Sequence, residues 1–212
     1  MFRDRVDAAE QLANALSGWR GRNPLVLGIP RGAVPMARLI AERLHGEVDV
    51  VLVRKLPAPG NPEYAIGAID ESGWSYISDP ASAAAAGEAY LAAEKERQLR
   101  TLRERRTAYS AQRGAIDPRD RIVIVVDDGL ATGSTMIAAL HALKARGAAR
   151  LVCAVPVAPP ESLARVRPYC DEVVCMDTPV SFHADGQFYR NFPQVEDREV
   201  MGALSAPPSS AA

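Results

Sequence analysis

The segment from Ile122 to Thr135 constrains this chain more than any other. Val123-Ile124-Val125-Val126 is a continuous apolar run, Asp127-Asp128 follow it, and Gly129-Leu130-Ala131-Thr132-Gly133-Ser134-Thr135 leads into a helical pattern. Such a run reads as a strand buried on both faces, which requires a parallel sheet covered by helices on each side. Open parallel sheets bind ligands beyond the carboxyl ends of their strands. A helix amino terminus there offers unpaired N–H groups and a dipole favourable to an anion. A phosphate is therefore expected on Thr132 to Thr135, with Gly133 allowing close approach or positive φ and the hydroxyls of Thr132, Ser134 and Thr135 donating to its oxygens. No lysine precedes Ser134 or Thr135, so the loop is not a Walker A loop and a nucleoside triphosphatase is disfavoured. Asp127 and Asp128 repel each other and need cations or donors, which beside a phosphate suggests a ribose diol and a hydrated Mg²⁺. Taken singly, an Asp-Asp pair is turn or cap chemistry and T-G-S-T a helix start. Their fixed order behind four apolar residues is far more specific.

The rest of the chain alternates strand and helix patterns. Arg5 to Trp19 places Val6, Ala9, Leu12, Ala13 and Leu16 at helical spacing. Leu25 to Ile29, a turn over Pro30 to Pro35, a helix over Met36 to Leu44 and the run Val48 to Val53 make one βαβ unit. Arg121 to Val126, a helix over Thr135 to Arg146 closed by Gly147, and Leu151 to Val157 make a second. Pro160 opens a further helix and Glu172 to Met176 is a last strand. Prolines and glycines break this rhythm between residues 54 and 80, where Tyr64 to Ile69 and Trp74 to Ile77 are expected to pair as a hairpin in a protruding, partly mobile flap. Residues 87–112 read as a long helix whose arginines solvate one face. Ser181 to Val200 reads as irregular and aromatic. Residues 1–202 are expected to form one domain, and 203–212 a disordered tail.

At 212 residues, 48% hydrophobic and 24% charged, the chain can bury one α/β core. Its 25 basic and 26 acidic residues leave a net charge of −1, so no global field favours nucleic acid or an anionic membrane, and any anion site must be local. Cys153, Cys170 and Cys175 form no C-x-x-C pair and lack a zinc-spaced His, which favours buried reduced thiols and a cytoplasmic setting. No stretch approaches the roughly 18 apolar residues of a membrane span, and Met1 to Glu10 has no secretory apolar core.

The run from Val123 to Thr135 resembles the phosphoribosyl-pyrophosphate signature of the type I phosphoribosyltransferases, most of all that of the adenine-specific members. The resemblance spans roughly residues 25–200. It implies that family's Rossmann-like parallel α/β fold, with a flap over about 54–80 and a base-recognising hood over about 178–202. It implies that Asp127 and Asp128 hold the ribose hydroxyls, directly or through Mg²⁺, and that Ala131 to Thr135 hold the 5′-phosphate. Gly28-Ile29-Pro30-Arg31-Gly32-Ala33 matches the pyrophosphate loop, with Arg31 as a bidentate partner and Gly32 sparing a Cβ that would block it. The family often has a non-proline cis peptide there. Arg54 and Lys55, in Val51-Leu52-Val53-Arg54-Lys55-Leu56-Pro57, match the flap's start and would meet the pyrophosphate, and Glu63 or Tyr64 would close near the leaving group or base. Catalytic roles fall to Asp127, Asp128 and Lys55. Phe182 is the positional match for a base-stacking ring, with an aromatic mini-core as the plainer reading. Ala131 replaces the Asp of hypoxanthine-type members, which speaks against a 6-oxopurine acceptor, and the helical insert is foreign to the small purine enzymes.

The implied activity is transfer of phosphoribose from phosphoribosyl pyrophosphate to a nitrogenous base, with release of pyrophosphate, Mg²⁺ as cofactor and room for a homodimer. A non-catalytic domain sensing the sugar or a nucleotide is the alternative. A phosphatase reading lacks a nucleophilic Cys motif and a His/Asp metal cluster.

Overall fold

A computed structural model describes residues 1–110 and 114–205. In chain order the elements are α1 (Arg5–Ala15), β1 (Leu25–Gly28), α2 (Ala33–Leu44), β2 (Glu47–Val50), β3 (Val53–Ala58), β4 (Asn61–Asp70), β5 (Ser75–Ile77), α3 (Pro80–Ala86) and α4 (Glu88–Tyr109). There follow β6 (Ile122–Val126), α5 (Ser134–Ala145), β7 (Arg150–Val157), α6 (Pro160–Val166), β8 (Glu172–Asp177) and α7 (Asp197–Ser205). Five parallel strands run in the order β2-β1-β6-β7-β8. β6 is central, hydrogen-bonded to β1 and β7, and Val123 to Val126 are all fully buried. Successive side chains on a strand point to opposite faces. Val123 and Val125 accordingly join a core with Met136, Ile137 and Leu140 of α5, while Ile124 and Val126 join one with Leu12 of α1 and Ile40 of α2. The sheet is thus covered by helices on both faces, and its apolar pattern requires that.

Val6 departs from the expected apolar stripe of α1. It is 57% exposed, and Ala8, fully buried, takes its place in the contact with α2 and the sheet.

Residues 54–80 are more ordered than a loop bearing a hairpin. β3, β4 and β5 form an antiparallel three-stranded sheet with β4 in the middle, and β4 begins at Asn61 rather than Tyr64. Pro57 can sit in β3 because the register shifts on either side of it, sparing the ladder a donor that proline lacks. Arg54 and Lys55 therefore lie on a strand. The base of this sheet is core, with Leu56, Ile66, Ala68 and Ile69 fully buried, whereas the tip over residues 59–64 is exposed throughout and Lys55 is exposed on β3.

The expected helix over 87–112 is observed as α4 after a break at Gly87, whose φ of +83° suits glycine. Residues 111 and 112 lie outside the described residues. One stripe of α4, comprising Glu94, Gln98, Leu102 and Tyr109, is buried, so the helix is not merely flanked by solvent. Tyr109 donates to Asp197 at 2.6 Å, and Val200 and Leu204 of α7 pack into the same core as Leu102. That packing corrects the chain's end: residues 197–205 are helical, including the three assigned to a tail, because Val200 and Leu204 bury against α4. Residues 206–212 of that expected tail lie outside the described residues.

Leu102→Ala should cost roughly 2–5 kcal/mol of stability in urea unfolding, since it empties a closed site between α4, α7 and the flap sheet. Val6→Ala, at an exposed position, should stay within about 0.5 kcal/mol.

Candidate active site

The carboxyl ends of β1 and β6 open into a cavity of about 910 Å³. Its floor is Asp127 to Gly133 together with Thr135, one wall is β3 and β4 with Arg54, Lys55, Glu63 and Tyr64, and the opposite rim is His183 to Asp185. The adjacent helix α5 is preceded by Gly133 at its N-cap, whose φ of +79° no side chain adopts easily and where a Cβ would crowd Val166. Among the described residues no carbonyl takes up the amides of Ala131, Thr132 or Gly133. The Ala131 carbonyl accepts from Ser162 Oγ at 2.7 Å, which fixes the loop from behind. Thr132 and Thr135 face the cavity, whereas Ser134 is buried and its Oγ pairs with Thr132 Oγ1 at 2.9 Å. A loop with free amides, hydroxyls and a helix dipole is built to receive an anion.

The acidic pair is held asymmetrically. Asp127 Oδ1 accepts from the Asp128 amide at 3.0 Å, and burial, then Asp128, then Asp185 push its carboxyl well above the ordinary carboxylate range. Asp128 faces a cation that motif reading missed. Nε and Nη2 of Arg5, on α1, donate to Asp128 Oδ2 at 2.9 and 2.8 Å, while Nη1 donates to the Pro193 carbonyl at 2.6 Å and the guanidinium lies 3.7 Å over the Phe192 ring. The Asp128 carbonyl in turn accepts from the Tyr189 hydroxyl at 2.6 Å. A Cβ on Gly32 would collide with Asp128 Oδ2 and press on Arg5, so Gly32 first of all makes room for this ion pair.

Asp185 is the second group the motifs did not reveal. Its Oδ1 is buried without a hydrogen-bond partner, and its carboxyl lies against Gly129 where any side chain would collide with it. Burial and then the negative charge of Asp128 push it up to about 6, opposed by Lys55 and Arg5. No spacing rule links residue 5 or 185 to residue 128. A charged residue beside a glycine within an aromatic stretch was the only local hint.

The structure brings together Asp127, Asp128, Ala131, Thr132, Gly133, Thr135, Arg54 and Lys55 on one cavity. Arg31 and Gly32 do not line it, although Ile29 and Pro30 of the same loop do, and the Pro30–Arg31 peptide is cis. Tyr64 lines the cavity, but its hydroxyl donates to Asp79, the N-cap of α3, at 2.6 Å. Phe182 is outside the cavity wall: it packs on Phe188 with ring centroids 5.1 Å apart, part of an aromatic mini-core that includes Tyr189 and Phe192.

Asp185 yields a pH prediction. A carboxyl whose folded pKa is raised contributes stability that is complete below its unfolded value and is lost as pH rises through the folded value. Between about pH 4 and pH 6, ionisation of Asp185 should therefore erode stability. Asp185→Asn should flatten that part of the profile and be more stable than the parent at pH 7, by up to about 3 kcal/mol. Chemical denaturation across pH 4 to 8 measures the difference.

Comparison with known proteins sets this geometry in a family. The phosphoribosyl transferase domain profile matches residues 3–189. A provisionally named phosphoribosyl transferase of Mycobacterium tuberculosis is 43% identical over 205 residues, covering 96% of this chain; the chain spans 46% of that relative's length. The uracil phosphoribosyltransferase of Clostridioides difficile is 46% identical over 57 residues, 27% of each chain. The crystal structure of TT1426 from Thermus thermophilus shares 44% identity, covers 96% of this chain and 97% of its own, and superposes with a TM-score of 0.80. With its parallel sheet, acidic strand end and amide-rich loop, the chain belongs to the phosphoribosyl transferase domain family.

Proposed function

We propose that the chain transfers phosphoribose from phosphoribosyl pyrophosphate to a nitrogenous base and releases pyrophosphate. The observation that carries this is one cavity lined by the acids Asp127, Asp128 and Asp185, by Arg54 and Lys55 of β3, and by the amide-rich loop from Ala131 to Gly133. The 5′-phosphate would sit on Ala131 to Thr135. Asp127 and Asp128 would take the ribose hydroxyls, and Arg54, Lys55 and the Arg31–Gly32 loop would take the pyrophosphate. The base would enter beside His183 and Asp185.

The donor set fits a hard cation. Asp185 Oδ1 is buried and unpartnered, Arg5 engages only Oδ2 of Asp128, and the Asp127 carboxyl is crowded by both acids. Among the described residues no three acidic, His or Cys side chains gather as a metal cluster, so Mg²⁺ would lean on Asp127 and Asp128, directly or through water, and keep substrate oxygens as its other ligands. When bound with the sugar it would offset charge on the diphosphate. The chain's own groups carry the remainder. As the bond from C1′ to the leaving oxygen lengthens, positive charge grows on the sugar beside the carboxylates and negative charge on the pyrophosphate beside Arg54 and Lys55. Fixed charges so placed stabilise the transition state more than the ground state.

Turnover with a panel of purine and pyrimidine bases, read as pyrophosphate release, tests the reading. Tight sugar binding without release from any base would replace the transferase with a sensor. Two variants sharpen the test. Asp127→Asn relieves like-charge crowding, so stability should hold or rise while affinity for phosphoribosyl pyrophosphate in Mg²⁺ falls about tenfold or more. Equal loss of both would make Asp127 structural. Lys55 is exposed and makes no ion pair among the described residues, so Lys55→Ala should lower kcat by roughly 100-fold with the binding constant changed only a few-fold.

A further inference from the structure

The long helix α4 lies outside the signature motifs, yet its Arg97, Gln98 and Arg105 line the same cavity as Arg54 and Lys55. Gln98 is buried and fixed at both ends of its amide: Nε2 donates to Glu94 Oε1 at 2.6 Å, and Oε1 accepts from Arg54 Nε at 2.8 Å. Arg54 is thus seated by a neutral group of α4 rather than by a carboxylate. In the network that joins Arg54, Gln98, Glu94 and Arg97 the one acid is Glu94, and Arg97 takes it at 2.6 Å. Arg105, half-buried, has no hydrogen bond or ion pair among the described residues. Elsewhere on α4, Arg100 pairs with Glu96 at 3.4 Å and Arg106 with Glu71 at 2.5 Å. Of the two α4 arginines that line the cavity, Arg97 is paired with Glu94 and Arg105 is left unmatched among the described residues.

Gathering cations in a partly buried wall is unfavourable unless an anion joins them. The effect is visible at Arg54, whose pKa is lowered first by burial and then by Arg105 and Arg97. The amide-rich loop across the floor can seat one phosphate, which leaves this basic wall for a second, more highly charged group.

We propose that α4 completes the pyrophosphate seat, with Arg105 and the Gln98-held Arg54 gripping the diphosphate end of the sugar donor. This rests on the reading under Proposed function and extends it: the inserted helix is part of the binding site, and the ligand class is an inorganic pyrophosphate or a diphosphate ester. A planar guanidinium offers two parallel donors to such a group, which an ammonium cannot match.

Calorimetric titration of the full chain with inorganic pyrophosphate, and separately with ribose 5-phosphate, both with Mg²⁺, tests it on the parent, Arg105→Ala, Arg105→Lys and Arg103→Ala. Arg103 is exposed on the same helix and makes no side-chain bond among the described residues, so it controls for the general field of α4. Arg105→Ala should weaken pyrophosphate tenfold or more, leave ribose 5-phosphate within twofold, and be rescued only partly by Arg105→Lys, with Arg103→Ala unchanged for both. Unaltered pyrophosphate affinity in Arg105→Ala overturns the inference while the transferase reading stands. Equal loss of both ligands, or equal loss in Arg103→Ala, overturns it as well. A parent that binds neither ligand overturns both readings. Arg105→Gln, which keeps the side-chain length, repeats the measurement should Arg105→Ala melt early.

Discussion

Two adjacent carboxylates at the end of a buried strand can coexist only if something draws charge from one of them, and here that is the pair between Arg5 and Asp128. The pair is enclosed, with 12% of the Arg5 side chain and 16% of the Asp128 side chain exposed. Charges so desolvated are tolerated when their remaining donors are also satisfied. Arg5 meets that condition through the Pro193 carbonyl and the face of Phe192. One side chain consequently joins the first helix, the acidic loop and the segment after the last sheet strand. The Phe2 amide donating to the Phe188 carbonyl and the Tyr189 hydroxyl donating to the Asp128 carbonyl close the same junction.

That junction sets the electrostatics of the cavity. With Asp128 engaged by Arg5, the carboxyls of Asp127 and Asp185 are both pushed upward by burial and by Asp128, so a cation brought beside them would favour their ionised forms. Across the cavity Arg54, Lys55 and Arg105 face no carboxylate in hydrogen-bond contact among the described residues. Burial weakens solvent screening, so the two ends keep their opposite potentials. A ligand with a hydroxyl-bearing ring and a polyanionic tail complements both ends.

How much of this could be read from the chain depended on sequence distance. The strand from Val123 to Val126, the acids after it and the glycine at residue 133 are neighbours in sequence, and their jobs are local: bury both faces, end a strand, start a helix. The flap was only partly legible, because its prolines suggested a loop while the register shifts around Pro57 let β3 pair all the same. Phe182 could not be placed from its position in the sequence, because aromatic rings pack wherever apolar surface is offered, and Phe188 offers it.

The sequence by itself determined the parallel α/β class, the glycine-bearing loop at a helix start and the Asp127–Asp128 pair, since each follows from periodicity or from adjacent residues whose chemistry needs no distant partner. Tertiary structure alone decided that Arg5 neutralises Asp128 across 123 positions, that Asp185 turns an unpartnered oxygen toward the same acids, and that Gln98 and Arg105 of a helix read as solvated form a cavity wall. The physical reason is that Coulomb energy and burial depend on separation in space, and only the packing of α1, α4 and the segment after β8 around the sheet brings those charges within reach of one another.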